Sequence, residues 1–207
     1  MRSPLWSTFT GALVFALMLI GCAQPSDSPE TAEDEDTEDV YGDAEWGYSG
    51  DIGPENWADL SAAYAACAGS TQSPIDLTDA TEASDGALEL NYSSVDARLV
   101  DTGHSVQANL TEGNAITLDG NAFNLLQLHF HAPSEHTIDG ASFPSEVHFV
   151  HQSADGELAV IGVMLEEGEA NPLLDGLWAQ MPDEDDAQAE AMTVQLADLL
   201  PDDRSYY

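Results

Sequence analysis

The chain has 207 residues, 39 Asp+Glu against 3 Lys+Arg, and a formal net charge of -36. Hydrophobic residues make up 43%, so the chain can build a core and is not wholly disordered, while 16 Gly, 10 Pro and 2 Cys exclude collagen-like and disulfide-dense classes. With only Arg2, Arg98 and Arg204 to neutralise phosphates, nucleic acid is not a partner, and an anionic lipid surface repels the chain.

Residues 1–22 read as an export signal. Arg2 is a minimal positive start, and residues 9–20 are an apolar stretch too short for a comfortable membrane span. The stretch ends in Leu19-Ile20-Gly21-Cys22, which resembles the bacterial lipobox. On that reading Cys22 becomes the lipidated first residue. The mature protein is then periplasmic or at the cell surface, held to the membrane by a lipid anchor alone. Simple cleavage, with Cys22 incidental, is the alternative. Residues 26–45 hold 10 Asp+Glu and no base, so 23–45 read as a flexible, self-repelling acidic tether. The other 29 acids lie outside it, which makes the folded part acidic too. Two readings fit: an ordinary acidic surface, or adaptation to high salt, where screening removes the self-repulsion. If Cys22 carries lipid, Cys67 has no partner in this chain.

From residue 46 a folded domain is expected. Trp57, Leu60, Tyr64 and Cys67 recur at helical spacing, with Asn56 as N-cap and Gly69 as stop. Residues 72–77 read as extended. Short strands are predicted over 87–92, 97–100, 104–110, 115–118, 123–131, 146–151 and 158–165. Asn171-Pro172 opens a short helix with Leu173, Leu174, Leu177, Trp178 and Met181 on one side. Residues 183–186 (DEDD) predict a last helix closing at Leu200-Pro201. The class is α+β, strand-dominated: a mostly antiparallel sheet with short peripheral helices.

All six histidines lie between positions 104 and 151. Strand alternation puts Gln127, His129 and His131 on one face and Leu128 and Phe130 on the other. Glu146, His148 and Val150 share a face of the second strand, and His151 points the opposite way. If the two strands are neighbours, His129, His131 and His148 converge. Three imidazoles with no fourth protein ligand are the pattern of a catalytic zinc site with an open position; carbonic anhydrase is the standard example of that arrangement. Gln127 and Glu146 are candidates to accept the ligands' second N–H. A lone histidine is more often a satisfied core or surface residue, and that reading is kept for His136 and His151.

The chain resembles the α-class carbonic anhydrases. The matching pieces, in the family's order over 46–207, are Trp46-Gly47-Tyr48, Gly53-Pro54-Glu55-Asn56-Trp57, Gln72-Ser73-Pro74-Ile75-Asp76, Gly103-His104-Ser105, LLQLHFH (125–131), SEHTID (134–139), SEVHFVH (145–151), LAVIGV (158–163), LLP (199–201) and SYY (205–207). The resemblance implies a central twisted sheet and reversible hydration of carbon dioxide to bicarbonate by a zinc-bound hydroxide. It implies zinc ligands at His129, His131 and His148, oriented in part by Gln127 and Glu146. His104 would be the proton shuttle, and Glu135 would belong to the relay that orients the hydroxide. Val150 and Val160 would line the pocket for carbon dioxide, and Tyr48 would help order the water chain. Thr102 and Gln107 stand where the family often has small polar amides.

The family's pattern continues past Tyr207 with a Gly-Ser-Leu-Thr-Thr-Pro-Pro segment and further strands. The resemblance therefore implies an incomplete reading frame, with the last strands missing. It also implies that the chain as it stands is a poor hydratase, because Glu135 lacks the threonine that pairs with it. In many bacterial members a later Cys bridges to the position of Cys67. Two other readings stand beside the enzyme. One is a non-enzymatic binding module of the same fold. The other is a cupin-like metal-binding barrel, with His129, His131 and Glu135 as ligands, Gly140 as a later motif glycine and His148 as a further ligand.

Overall fold

The computed structural model describes residues 6–7, 13–18, 44–79, 88–102, 105–182 and 188–207. Two compact units form: residues 19–73 are one, and residues 1–18 with 74–207 are the other.

In the smaller unit, aromatic rings organise an otherwise irregular chain. Trp46, Tyr48 and Trp57 meet edge to face, with centroids 5.5–5.8 Å apart. The Trp57 indole donates to the carbonyls of Gly47 (2.9 Å) and Ile52 (3.0 Å), which closes the loop between them. The helix expected from Trp57 to Cys67 is broken. A single α-turn, α1 (Trp57–Leu60), ends at Ser61, and a 3-10 helix runs over Ala62–Ala68. Ser61 is extended, and its hydroxyl accepts from the Ala63 N–H at 3.2 Å. A serine that caps a new turn competes with continuing the old one. Asn56 makes no side-chain cap, but Gly69 does end the run. Cys67 is disulfide-bonded, whereas a lipidated Cys22 is expected to leave it without a partner in the chain.

The larger unit is built from β-strands. In chain order they are β1 (Trp6–Ser7), β2 (Leu13–Met18), β3 (Asp76–Leu77), β4 (Leu88–Asn91), β5 (Ser94–Asp101), β6 (Val106–Leu110), β7 (Ala115–Leu118), β8 (Asn121–His131), β9 (Thr137–Ile138), β10 (Ser145–Ser153), β11 (Leu158–Glu167) and β12 (Met192–Gln195). Ten of them form one sheet in the order β1-β11-β10-β8-β6-β5-β12, with β2 also on β11, and with β7 on β8 carrying β4 outside it. Every pairing in this sheet is antiparallel. Its path has two ends, so it is an open sheet and not the barrel of the cupin-like reading. The small pair β3-β9 is parallel.

Alternation and turn chemistry explain these strands. β5 reads exposed-buried over Ser94–Leu99, with Val95, Ala97 and Leu99 in the core. β7 and β8 are joined by Asp119-Gly120, both at positive φ (49° and 81°), a turn whose twist suits a two-residue hairpin. Asp139-Gly140 repeats that geometry after β9. There the Asp76 carboxylate accepts from the Thr137 hydroxyl (2.6 Å) and the Gly140 N–H (2.9 Å).

The longest strand, β8, changes its alternation partway. His131, His129 and Gln127 lie on one face and Phe130 and Leu128 are buried on the other, but then Leu125 and Phe123 are buried too. The parity switches at Leu126, which is exposed. There the β10 register slips, so that Val150 faces Gln127 and the next residue, His151, faces Leu125. A bulge of one extra residue re-aims a strand in this way. It lets β8 give polar side chains to one face near its end and apolar ones to the core throughout.

The expected second helix is α2 (Pro172–Trp178), capped by Asn171, whose side chain accepts from Leu173 N (2.9 Å) and Leu174 N (3.3 Å). Leu174 and Leu177 are buried, and Trp178 packs edge-on against Phe130 at 4.9 Å. Met181 lies beyond the helix and is exposed, against expectation. The final predicted helix is absent from the described residues. Its opening at 183–186 lies outside them, and 192–199 is β12 followed by a 3-10 turn. Val194 and Leu196 are buried with Gln195 exposed between them, a strand period that the acidic run disguised. Among the described residues, no helix is long and apolar enough to cross a membrane.

Candidate metal centre

The centre lies where β8 and β10 run side by side. His148 faces His129 directly in the register, and Glu146 faces His131. Directly opposed side chains on one face of an antiparallel pair approach closely. The rings of His129, His131 and His148 accordingly lie 4.8–5.1 Å apart between centroids. One nitrogen from each falls within 4.8 Å of the others.

Hydrogen bonds select which nitrogens are free. His129 Nδ1 donates to Gln127 Oε1 at 2.9 Å, leaving Nε2 with its lone pair. His148 Nε2 donates to Glu146 Oε1 at 2.8 Å, leaving Nδ1. Among the described residues, His131 Nε2 is buried without a hydrogen-bond partner. Glu135 Oε2 is 3.1 Å from it, close enough for ionic attraction but without the alignment of a hydrogen bond. The same carboxylate oxygen is 3.8 Å from His148 Nδ1. Strand alternation alone could not place Glu135; the loop after β8 brings it back over the histidines.

The electrostatics favour neutral rings. Burial pushes His129 down to about 3, reinforced by the charges that His148 and His131 would carry. Burial and His148 bring His131 down to about 4. Both rings are therefore uncharged at neutral pH, the form that binds a metal. An orphaned buried nitrogen, converging lone pairs and two fixed tautomers fit one divalent ion with nitrogen preference, and zinc is such an ion.

Glu146 is fully buried. Its Oε1 accepts from His148 and from His136 Nδ1 (2.7 Å), and its Oε2 accepts from the backbone N–H of Glu135 (3.0 Å) and His136 (2.9 Å). Burial opposes its ionisation, but the hydrogen bonds from His136 and His148 outweigh that and hold the carboxyl well below the usual range. His136, Glu146 and His148 form a second buried group with metal-ligand atoms in reach of one another. Sequence reasoning passed over His136; the only signal was the SEHTID stretch itself.

The other expected residues fall as follows. Val150 and Val160 face each other across β10 and β11, Val160 buried and Val150 partly so. Gln107 pairs with His129 across β6 and β8, and its amide donates to Asn109 Oδ1 at 2.7 Å. The Thr102 hydroxyl is held in a local turn, bonding Ser105 O and N at 3.0 Å each. Tyr48 is exposed in the smaller unit. His104 and Cys22 lie outside the described residues. His151 is wholly buried on the core face, as alternation predicts. Its Nδ1 donates to Ala159 O (3.1 Å), and its Nε2 accepts from the Tyr92 hydroxyl (2.7 Å).

Comparison with known proteins agrees with this geometry. The profile of the eukaryotic-type carbonic anhydrases matches residues 52–207. A carbonic anhydrase of Pectobacterium carotovorum is 40% identical over 199 residues, 95% of this chain and 76% of that protein. The α-carbonic anhydrase of Thermovibrio ammonificans, solved with the inhibitor sulfanilamide, is 41% identical with a TM-score of 0.73, over 79% of this chain and 74% of that one. A dioscorin solved with ascorbate is 33% identical with a TM-score of 0.68, over 75% and 69% of the two chains.

Proposed function

The chain belongs to the eukaryotic-type carbonic anhydrase family, and on that premise we propose that it is a zinc-dependent enzyme hydrating carbon dioxide reversibly to bicarbonate. The observation that carries the reading is the convergence of His129, His131 and His148, with the far nitrogens of His129 and His148 engaged by Gln127 and Glu146. The ligands would be His129 Nε2, His148 Nδ1 and His131. Zinc would supply Lewis acidity there, lowering the pKa of a coordinated water; carbonic anhydrase is the standard example of that principle.

The chain's own residues do the rest. Gln127 and Glu146 fix the ring tautomers, so the ligand lone pairs need no reorganisation. Glu135 would belong to the hydrogen-bond relay that orients the attacking oxygen. Val150 and Val160 present methyl groups that exclude water and admit a small apolar gas. An oxygen lone pair would form the bond to carbon while one C=O π pair moves onto oxygen, giving bicarbonate; a water then replaces the product, and the proton it loses in regenerating the nucleophile is taken up by the His104 imidazole. Its ordinary pKa near neutrality lets it release the proton again to solvent. A dioscorin among the structural neighbours keeps a second reading alive, a binding module of the same fold. Stopped-flow hydration with and without a zinc chelator separates the two: a chelator-sensitive rate supports the enzyme, and stoichiometric zinc without hydration supports the module.

We further propose export and lipid anchoring through Cys22. A thioether-lipidated Cys22 has no thiol left, so in the anchored form Cys67 would have no partner within the chain, and the anchor and an intrachain Cys67 disulfide exclude each other. The expected result is membrane association that Cys22→Ser abolishes, with a lipid-modified Cys22 in the mature protein by mass spectrometry. A Cys22–Cys67 bridged peptide from the wild-type protein would overturn the anchor.

A further inference from the structure

We propose that His136 is a positioning residue for the metal centre, acting through the Glu146 carboxylate on His148 and on Glu135. The inference rests on the zinc reading above and adds a residue that reading does not use.

The carboxylate of Glu146 has room for about four hydrogen bonds, and four are made. Two come from imidazoles and share Oε1; two come from consecutive backbone N–H groups and share Oε2. His148 alone would leave this carboxylate free to rotate about its terminal bond. His136 removes that freedom, because its ring N–H and its backbone N–H bind opposite oxygens of one group at 2.7 Å and 2.9 Å. His136 is itself immobilised. Ser134 Oγ donates to the His136 carbonyl at 2.7 Å and accepts from Phe143 N at 2.9 Å, which ties the loop across its own base.

The tautomer follows from the acceptor. His136 Nδ1 faces a carboxylate and carries the proton; Nε2 is buried with no hydrogen-bond partner among the described residues. An imidazole left half-satisfied in a buried site costs stability. What the arrangement provides is a fixed oxygen for His148 Nε2–H. It also lowers the basicity of that oxygen, since each donor draws charge from the carboxylate. The second arm of the clamp holds the Glu135 backbone, so one carboxylate sets both the ring of a ligand and the base of the loop that brings Glu135 over the histidines.

The test uses the full chain with His136→Phe and His136→Asn. Phe keeps the volume and removes the donor; Asn places an amide N–H near the position of Nδ1. Wild-type protein binding one zinc per chain establishes the underlying reading, and its failure there is a failure of that reading alone. Chelator competition should then show His136→Phe weaker for zinc on the order of 10-fold, with His136→Asn restored to near wild type. Wild-type affinity in the Phe variant, or equal loss in both, overturns the proposal, because packing alone cannot distinguish a donor from a ring. Nitrogen-15 histidine spectra of the metal-free wild type keep the test open should a variant fail to fold. They should show His136 protonated on Nδ1 and His148 on Nε2, and the reverse tautomer of His136 overturns it.

Discussion

His148→Ala should abolish stoichiometric zinc binding and bring carbon dioxide hydration to the uncatalysed rate, while Glu135→Ala should keep its zinc and lose only turnover. On the proposed assignment His148 is the ligand that β10 would contribute and the other two would come from β8, so removing it leaves both remaining ligands on a single strand. Two nitrogens bind far more weakly than three, because the missing ligand no longer offsets dehydration of the ion. The Ala variant also leaves Glu146 Oε1 short of one donor in a fully buried site, which loosens the clamp as well. Glu135 is the informative control, since its carboxylate sits 3.1 Å from His131 and 3.8 Å from His148, within reach of an ion that those rings would hold. Zinc content by atomic absorption after gel filtration decides. If the Glu135 variant loses zinc as completely as the His148 variant, then Glu135 is a ligand, and the three-histidine assignment and its open position fail together.

The site was legible where it depends on strand period and opaque where it depends on a chain reversal. Gln127, His129 and His131 alternate with Leu128 and Phe130, so their common face followed from spacing alone, and the same held for Glu146 and His148. That alternation fails just upstream of Gln127. Counting back from His131 puts Leu125 beside Gln127, yet the bulge opposite Val150 and His151 sends Leu125 into the core and leaves Leu126 outside. A bulge is a fact about two strands, and one strand's sequence does not encode it. The roles of His136 and the placement of Glu135 also needed the fold, because the loop 132–145 returns them to β10. The two misread helices have a shared cause. Residues 57–67 and 183–200 carry helical apolar spacing or an acidic start, but Ser61 caps a fresh turn, and Met192–Gln195 pairs with β5 and buries Val194 opposite Val95. Local propensity is a weak prior when a sheet edge offers pairing.

The metal-free protein should lose stability on mild acidification, and His151 should account for about 2 kcal/mol of that loss between about pH 8 and pH 5. The ring is fully buried, with Nδ1–H donating to Ala159 O and Nε2 accepting from Tyr92. Burial, the largest cause, brings its pKa from 6.5 down to about 4 even though the carbonyl contacts oppose it. The group that faces it is the Tyr92 phenol, whose own ionisation burial pushes up, so it stays a neutral donor throughout this range. A histidine with a lower pKa when folded binds fewer protons folded than unfolded. Its contribution is therefore complete above about 6.5, declines as pH falls, and is exhausted below about 4, where both states are protonated. His129 and His131, lowered to about 3 and about 4, add losses of the same sign once no metal competes with protons. The measurement stops at about pH 5 because the chain's pI is about 4.1, where net charge no longer keeps it soluble. Urea unfolding of the chelator-treated wild type and of His151→Asn, each at both pH values, isolates the residue. Asn keeps a donor for Ala159 O but does not titrate, so the variant should start less stable and fall less steeply by about 2 kcal/mol. An identical pH dependence in the two proteins would mean that His151 takes up no proton on unfolding, and that the core face of β10 is not where acid acts.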